Sequence, residues 1–460
     1  MSKLGDHIEY VKGFAFKSKD YTETGIPVIR VSNFTDNSID IKDVYHIPKE
    51  RFSEFQKVNL IKDDIVIATV GSWPTNPSSV VGKTIRVPQE ANNTLLNQNA
   101  VRIRSLDKDE QLYFYYVLKD KSFSDYIIST AQGSANQASI TLKSILDYDL
   151  PNIDSKEKRI KIGKTLATYD EKIRLNAQIN QTLEQIAQAL FESWFVDFDP
   201  VRAKVQALSD GLSLEQAELA AMQAISGKTP EELTALSQTQ PERYAELAET
   251  AKAFPCEMVE VDGVEVPKGW ELSTIGEEVE TVGGATPSTK EESFWNNGKI
   301  AWTTPKDLSS ATSPVLINTE RKITELGLKK ISSGLLPIGT VLLSSRAPVG
   351  YLALTKTPVA INQGYIAIKC NKTLSNFYML QWCKENLEEI KSRASGTTFL
   401  EISKTTFRGI SVIVPEKNIL IMFNKQCESI YEMITNHTKE NQKLENARDL
   451  LLPRLLNGEI

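Results

Sequence analysis

The sequence predicts an α+β chain built twice: two similar mixed α/β domains separated by a pair of long antiparallel coiled-coil helices, together a pseudo-twofold duplicated unit. Three observations carry this. Residues Lys156 to Phe195 hold a seam at Ile162, Leu166, Tyr169, Ile173, Asn176, Asn180, Leu183, Ala187, Leu190 and Trp194, in alternating steps of four and three. That is the 3.5-residue period of a coiled coil. The same rhythm returns at Phe423, Cys427, Ile430, Ile434, His437, Asn441, Leu444, Arg448, Leu451 and Leu455, each one 261 residues further on. Short phrases also repeat in order. Leu4-Gly5 answers Ile275-Gly276, Asn97-Gln98 answers Asn362-Gln363, and Leu150-Pro151 answers Val414-Pro415. A repeat at one offset marks a duplicated unit.

The elements follow in order. Residues 1–155 read as the first mixed domain, with β-rich runs at Pro27–Val31, Asp64–Val70 and Ala100–Arg104 and a helix at Lys108–Leu118. Turn clusters such as Gly71-Ser72-Trp73-Pro74 separate the runs. Residues 156–198 form the first long helix, ending in the aromatic cluster Phe191, Trp194, Phe195 and Phe198. Residues 199–268 read as a loosely packed helical connector, with helix starts at Ser213-Leu214-Glu215-Gln216 and Thr229-Pro230-Glu231-Glu232. Residues 269–415 are the second mixed domain, with strands around Trp302, Gly339–Ser345 and Ile366–Ile368, and residues 416–460 the second long helix. Centring the two seams on each other pairs residues whose numbers sum to 617, so Asn176 faces Asn441 and Asn180 faces His437. A polar layer of that kind costs stability and fixes register.

Composition sets bounds. Net charge is −6, but residues 200–268 carry the imbalance, with 12 acidic against 6 basic residues; elsewhere there are 47 of each. A neutral module can still present a basic face. The four scattered cysteines and three histidines supply neither a disulfide framework nor a metal cluster, which fits a reducing, cytoplasmic setting. Nothing is long and apolar enough to span a bilayer as a helix, and the N-terminus lacks a signal-peptide core.

Several phrases in order resemble the specificity (S) subunit of type I restriction–modification systems: Gly283-Gly284-Ala285-Thr286-Pro287-Ser288 with Trp295 and Trp302; Ser345-Arg346-Ala347-Pro348-Val349-Gly350; Asn362-Gln363-Gly364; Trp194-Phe195-Val196-Asp197-Phe198-Asp199-Pro200; and Leu452-Pro453-Arg454-Leu455-Leu456-Asn457-Gly458-Glu459-Ile460. The resemblance covers essentially the whole chain. The first domain departs from it, with Gly71-Ser72-Trp73-Pro74 where the second has Ser345-Arg346-Ala347-Pro348. It implies two target recognition domains, each reading half of a bipartite double-stranded DNA site. The helices, about 50 Å of seam at 1.5 Å per residue, would set the unread spacer. Two methyltransferase (M) subunits and two restriction (R) subunits would complete the complex, and DNA-mimic anti-restriction proteins are further partners of the class. S-adenosylmethionine, ATP and magnesium would serve those partners, with no cofactor on this chain.

A direct search for catalysis agrees. There is no Pro-Pro dipeptide, hence no N-P-P-Y-type methyltransferase loop. Gly82-Lys83-Thr84 and Gly163-Lys164-Thr165 lack the glycine that opens a phosphate loop, having Pro77 and Lys158 there. The alternatives are a stand-alone two-headed DNA-binding regulator, or a methyltransferase or nuclease acting by itself.

Base edges are read by Arg, Lys, Asn and Gln, while Ser, Thr and Lys hold phosphates. Loop residues of these types are Ser72, Trp73, Asn76, Lys83, Gln132, Ser134, Asn136 and Gln137 in the first domain. In the second they are Ser288, Lys290, Lys306, Arg346, Arg393, Thr397, Thr398 and Lys404. Ordinary loop chemistry accounts for any one of them equally well. Asn97-Gln98 and Asn362-Gln363 occur in both halves and read as structural. Phe191, Trp194, Phe195 and Phe198 either cap the coiled coil or dock a partner, and Arg454 and Leu455 are further partner-facing candidates.

Overall fold

The computed structural model describes residues 2–35, 37–73, 80–134, 137–153, 155–309, 311, 313–396 and 400–460. The chain divides into two compact units, residues 1–173 with 442–460, and residues 174–441. The first thus contains both ends of the chain.

In the first unit the strands are β1 (Ile8–Lys12), β2 (Ile26–Ile29), β3 (Tyr45–Ile47), β4 (Asn59–Leu60), β5 (Ile65–Ala68), β6 (Val70–Gly71), β7 (Thr84–Arg86), β8 (Thr94–Leu96) and β9 (Ala100–Ser105). Helices α1 (Gln111–Lys119) and α2 (Lys121–Ser129) follow, then β10 (Gln132–Ser134), β11 (Gln137–Ser139) and α3 (Leu142–Leu146). An inner antiparallel sheet has the order β1-β9-β5-β7. An outer sheet has the order β3-β2-β8-β4, with β2 and β8 parallel. The apolar run Ile65-Val66-Ile67-Ala68 is wholly buried, as expected of a central strand covered on both faces. The predicted run Asp64–Val70 is broken at Thr69. Its N–H donates to the carbonyl of Asn99 (2.9 Å) and its carbonyl accepts from the N–H of Ile140 (2.9 Å), so β6 leaves the inner sheet and joins the β10–β11 ribbon. The predicted helix from Lys108 begins as one 3-10 turn, Lys108–Glu110, before α1.

The long helix α4 (Lys156–Phe195) runs through both units, and in the second it is followed by α5 (Asp199–Ser209), α6 (Leu214–Ser226), α7 (Pro230–Thr239) and α8 (Pro241–Ala253). Both expected capping boxes form: Ser213 and Gln216 exchange side-chain-to-backbone bonds, as do Thr229 and Glu232. The connector is better packed than its acidity suggested. Ala221, Met222, Leu233, Leu236 and Ala251 make a small core. Beside it Lys204, 1% exposed, donates from Nζ to the carbonyls of Phe254 (2.6 Å) and Lys252 (3.3 Å) at the end of α8. Burial pulls this ammonium below the ordinary lysine range, and the two carbonyls replace its lost water.

After the hairpin β12 (Met258–Val261) and β13 (Val264–Pro267), the second domain repeats the first. It contains β14 (Glu271–Thr274), α9 (Ile275–Glu278), β15 (Glu280–Gly283), β16 (Ile300–Thr303), α10 (Pro305–Ser309), β17 (Val315–Leu316), β18 (Arg321–Ile323), α11 (Glu325–Leu328), β19 (Val341–Ser344), β20 (Leu352–Thr355), β21 (Val359–Ile361) and β22 (Tyr365–Lys369). Next come α12 (Asn376–Glu385), α13 (Leu387–Ser392), α14 (Lys404–Arg408), β23 (Ser411–Val414) and α15 (Lys417–Leu456). The inner sheet β15-β22-β19-β20-β17 matches β1-β9-β5-β7 with one added strand. The outer sheet β18-β16-β21 keeps the parallel pair, now β16 with β21.

Within each unit α4 and α15 pack antiparallel. In the second unit Asn176 Nδ2 donates to Asn441 Oδ1 (2.8 Å) and Glu440 Oε2 (2.7 Å), and Asn180 Oδ1 meets His437 Nδ1 at 2.9 Å. Both polar pairs fall on the register that sums to 617. Asn176 and Asn180 are 0% and 4% exposed, so the layer is interior and not a solvent gap. In the first unit Ile162 and Leu166 share a core with Leu452 and Leu456. Arg448 there holds Asp170 at 2.6 Å, and Asp170 also accepts from the Tyr116 hydroxyl at 2.5 Å. Burial alone would lower the pKa of the Arg448 guanidinium; the Asp170 and Asp449 carboxylates together more than offset this and raise it.

Candidate nucleic-acid interface

In the second domain several loops converge on the turn Asn362–Gly364. Asn362 Oδ1 accepts from the Gly364 N–H (2.9 Å), and the Asn362 N–H donates to Thr303 (3.1 Å). Gln363 Oε1 accepts from the Thr286 hydroxyl (2.7 Å), which brings in the Gly283–Lys290 loop. Gly364 accepts through its carbonyl from the Ser345 N–H (2.8 Å), and Ser345 accepts from the Ile402 N–H (3.0 Å). Those two bonds bring in the loop after β19 and the loop before α14. Arg346 then lies opposite Glu401, its guanidinium 3.8 Å from the carboxylate.

The first domain has the same frame. Its counterparts are the bonds from Thr69 to Asn99, from Ile140 to Thr69, and from the Asn97 N–H to Ile29 (2.9 Å). The ribbon pairs Val70 with Ser139 as Arg346 pairs with Glu401. This register moves the sequence comparison by two residues: Val70, not Ser72, occupies the place of Arg346. Two glycines make the frame possible. A Cβ on Gly13 would lie 1.8 Å from the Asn97 carbonyl oxygen, and one on Gly284 would lie 2.0 Å from that of Ile361. No side chain fits there.

On this frame the predicted residues take definite places. Gln132, Ser134 and Gln137 are exposed on β10 and β11. Trp73 is half-buried and its indole N–H donates to the Ser134 carbonyl (2.8 Å), so it pins the ribbon. Ser72 is buried, with its carbonyl accepting from the Val81 N–H (3.0 Å), and acts as part of the frame. Lys83 is half-buried with Nζ 3.5 Å from the Phe34 carbonyl. Asn76, Asn136, Thr397 and Thr398 lie outside the described residues.

In the second domain Ser288, Lys290, Lys306 and Lys404 are exposed. Lys306 reaches Glu320 at 3.3 Å, a pair too exposed to hold the ammonium firmly. Lys404 Nζ lies 3.3 Å from where a Gly283 side chain would begin. Arg393 pairs with Glu389 at 2.7 Å along α13 and its end. The carbonyls of Ala285 and Ser288 accept from the indole N–H groups of Trp302 (3.2 Å) and Trp295 (2.9 Å), which fixes the glycine-rich loop. Gly13 and the carboxylate of Glu401 escaped sequence reasoning, and Gly284 stood out only as part of a phrase, because only strand pairing shows what they touch.

The aromatic cluster is interior. Phe191, Trp194, Phe195 and Phe198 are 1–5% exposed, and Trp194 and Phe195 meet Phe423 at 6.0 and 5.0 Å, the second pair edge to face. Such burial is what a cap requires of these rings, while Phe191, Phe195 and Phe198 also border a groove shared with Tyr378 and Trp382. Arg454 is exposed and pairs with Glu459 at 3.4 Å, while Leu455 is half-buried against the core of the first unit. Among the described residues no helix is long and apolar enough to cross a membrane.

Two domains of one design, each gathering polar loops on a backbone frame, define a duplicated recognition protein, and comparison identifies the class. The model of the type I restriction modification DNA specificity domain matches residues 1–185 and 267–450. The chain therefore belongs to that family. It is 46% identical over 357 residues to the type I restriction enzyme HindI specificity subunit of Haemophilus influenzae, covering 76% of this chain and 77% of that one. The MjaIX specificity subunit of Methanocaldococcus jannaschii is 35% identical over 191 residues, 41% of this chain and 44% of the relative. The crystal structure of a type I restriction–modification S subunit from M. genitalium superposes with a TM-score of 0.52 over 98% of this chain and 94% of that one, at 16% identity, and so shares the fold.

Proposed function

We propose that this chain is the DNA-reading subunit of a type I restriction–modification system, each domain contacting one half of a bipartite target. The observation that supports this most is the repeated frame. The same backbone bonds recur in both domains, while the side chains they display differ: Val70 against Arg346, Ser139 against Glu401. Two readers of different half-sites need that combination. Gln132, Ser134 and Gln137 on one domain, and Ser288, Lys290, Lys404 and Arg346 on the other, are the residues we place nearest DNA. Methyl transfer and cleavage fall to methyltransferase and restriction partners, which bring S-adenosylmethionine, ATP and magnesium; the long helices space the domains and offer those partners a dock.

Exchange of residues 1–155 for the first domain of another family member, followed by mapping of methylated adenines in a cell carrying the whole system, tests this. One half of the methylated motif should change and the other should stay. Methylation unaltered by the exchange, or methylation by this chain without a partner, would overturn the reading.

A further inference from the structure

Both domains carry an arginine that, among the described residues, pairs with no carboxylate and rests on aromatic rings at the same place in the outer sheet. In the second domain Arg321 opens β18, opposite Trp302 in the β16 register. Its exposed guanidinium lies 3.7 Å from the ring centroid of Trp295 and 5.2 Å from that of Trp302, and the two indoles meet edge to face at 5.0 Å. In the first domain the matching position, opposite Val28 on β2, is Tyr45 at the start of β3. There the roles are exchanged: Tyr45 supplies the ring, and Arg30, from the end of β2, lies 4.3 Å from its centroid. Tyr21 stacks on Tyr45 at 4.5 Å and 16°. Neither arginine has an ion pair among the described residues, whereas Arg51, Arg104 and Arg448 each hold a carboxylate. Arg30 Nε is buried with no hydrogen-bond partner.

Both stacks adjoin the recognition frame. Trp302 and Trp295 hold the Ala285–Ser288 loop by their N–H groups, and Arg30 directly follows Ile29, whose carbonyl accepts from the N–H of Asn97 (2.9 Å), the counterpart of Asn362. A guanidinium stacked on a ring is fixed in plane and keeps its N–H fork free at the edge. That fork matches a paired acceptor, the O6/N7 edge of guanine or two phosphate oxygens. Carboxylates outnumber lysines and arginines in this chain, 59 to 53, yet neither of these guanidiniums is paired with one among the described residues.

We propose that Arg30 and Arg321 are DNA-contacting residues, each serving the half-site of its own domain. The inference rests on the function proposed above. The test uses the complex of the full chain with its methyltransferase partner, comparing wild type with R30A, R30K, R321A and R321K. Methylated motifs are mapped across mixed genomic DNA, and binding of the wild-type target is followed against salt. If the acceptor is guanine, R321A loses about 10-fold or more of its discrimination at one position of the second half-site, and R321K does not restore it. If it is phosphate, R321A weakens binding evenly across sequences, the salt slope falls by about one, and R321K recovers part of the loss. R30A and R30K should do the same for the first half-site alone. Either pattern supports the proposal. Unchanged motif, affinity and salt slope in R30A and R321A overturn it, even if melting temperature drops, because the stacks then serve only folding. Wild-type complex without sequence-specific methylation would instead defeat the underlying reading.

Discussion

Arg346 shows how one residue can be readable as a type and unreadable as a place. The sequence marks it as a loop arginine in a shared phrase, and it does stand at the end of β19. Its register against the other domain could not be read, because the break at Thr69 that sends β6 into a separate ribbon is made by the carbonyl of Asn99 and the N–H of Ile140, 30 and 71 residues away in the chain. The matching residue is Val70, which cannot pair with a base edge. Arg346 is loosely held by Glu401 at 3.8 Å, so the guanidinium is aligned without being tightly neutralised. Arg346→Ala should therefore relax the second half-site at one base position, costing about 1–3 kcal/mol of discrimination, with the first half-site untouched. Methylation mapping reads this directly. Equal loss in both halves would show that Arg346 acts on the whole complex and not on its own domain.

At the scale of the element, the long helices were the most legible part of the chain. A 3.5-residue period states which face is buried, and the polar interruptions state the register, because a buried amide must find a partner. The connector was less legible. Its small core sets only Met222, Leu233 and Leu236 among the alanines Ala221 and Ala251, so a sparse apolar pattern hid a real core. The Asn176–Asn441 layer makes a sharp prediction. Asn176 Oδ1 is buried without a partner, so the layer already carries an uncompensated acceptor. Replacing Asn176 and Asn441 together by Leu removes donors and acceptors at once and should raise the melting temperature. Asn176→Leu alone removes the donor that Asn441 Oδ1 and Glu440 Oε2 share and should lower stability by about 1–3 kcal/mol. The double variant should also admit helix slippage, visible as new cross-links between cysteines placed along α4 and α15. A melting temperature lower in the double than in the single variant would contradict the buried-layer account.

For the molecule as a whole, charge is the governing fact. With residues 200–268 set aside the chain is neutral, 47 basic against 47 acidic residues, and many of its arginines are matched to carboxylates. Affinity for a duplex comes largely from phosphate neutralisation and the counterions it releases. The isolated chain should therefore bind its target weakly and with a shallow salt slope. Addition of the methyltransferase partner should steepen the slope as it adds cations, while the methylated sequence stays the one set by this chain. Titration of binding against salt with and without the partner checks both statements; a steep slope from this chain alone would mean that it carries the phosphate contacts itself. The duplicated plan was visible in the sequence from ordered echoes, but the exchange of roles between Tyr45 and Arg321 was not. Cation and ring change places across the sheet, so no residue type repeats there.

The frame bonds from Thr69 and Ile140, and from Ser345 and Ile402, are all main chain to main chain. Such bonds are indifferent to the side chains on either side of them. Loops hung between them can change composition and length at modest cost to the scaffold, provided Gly13 and Gly284 keep the close approach open. Recognition and foldability are thus nearly separate variables in this architecture, and new target sequences are reachable by drift through variants that all fold.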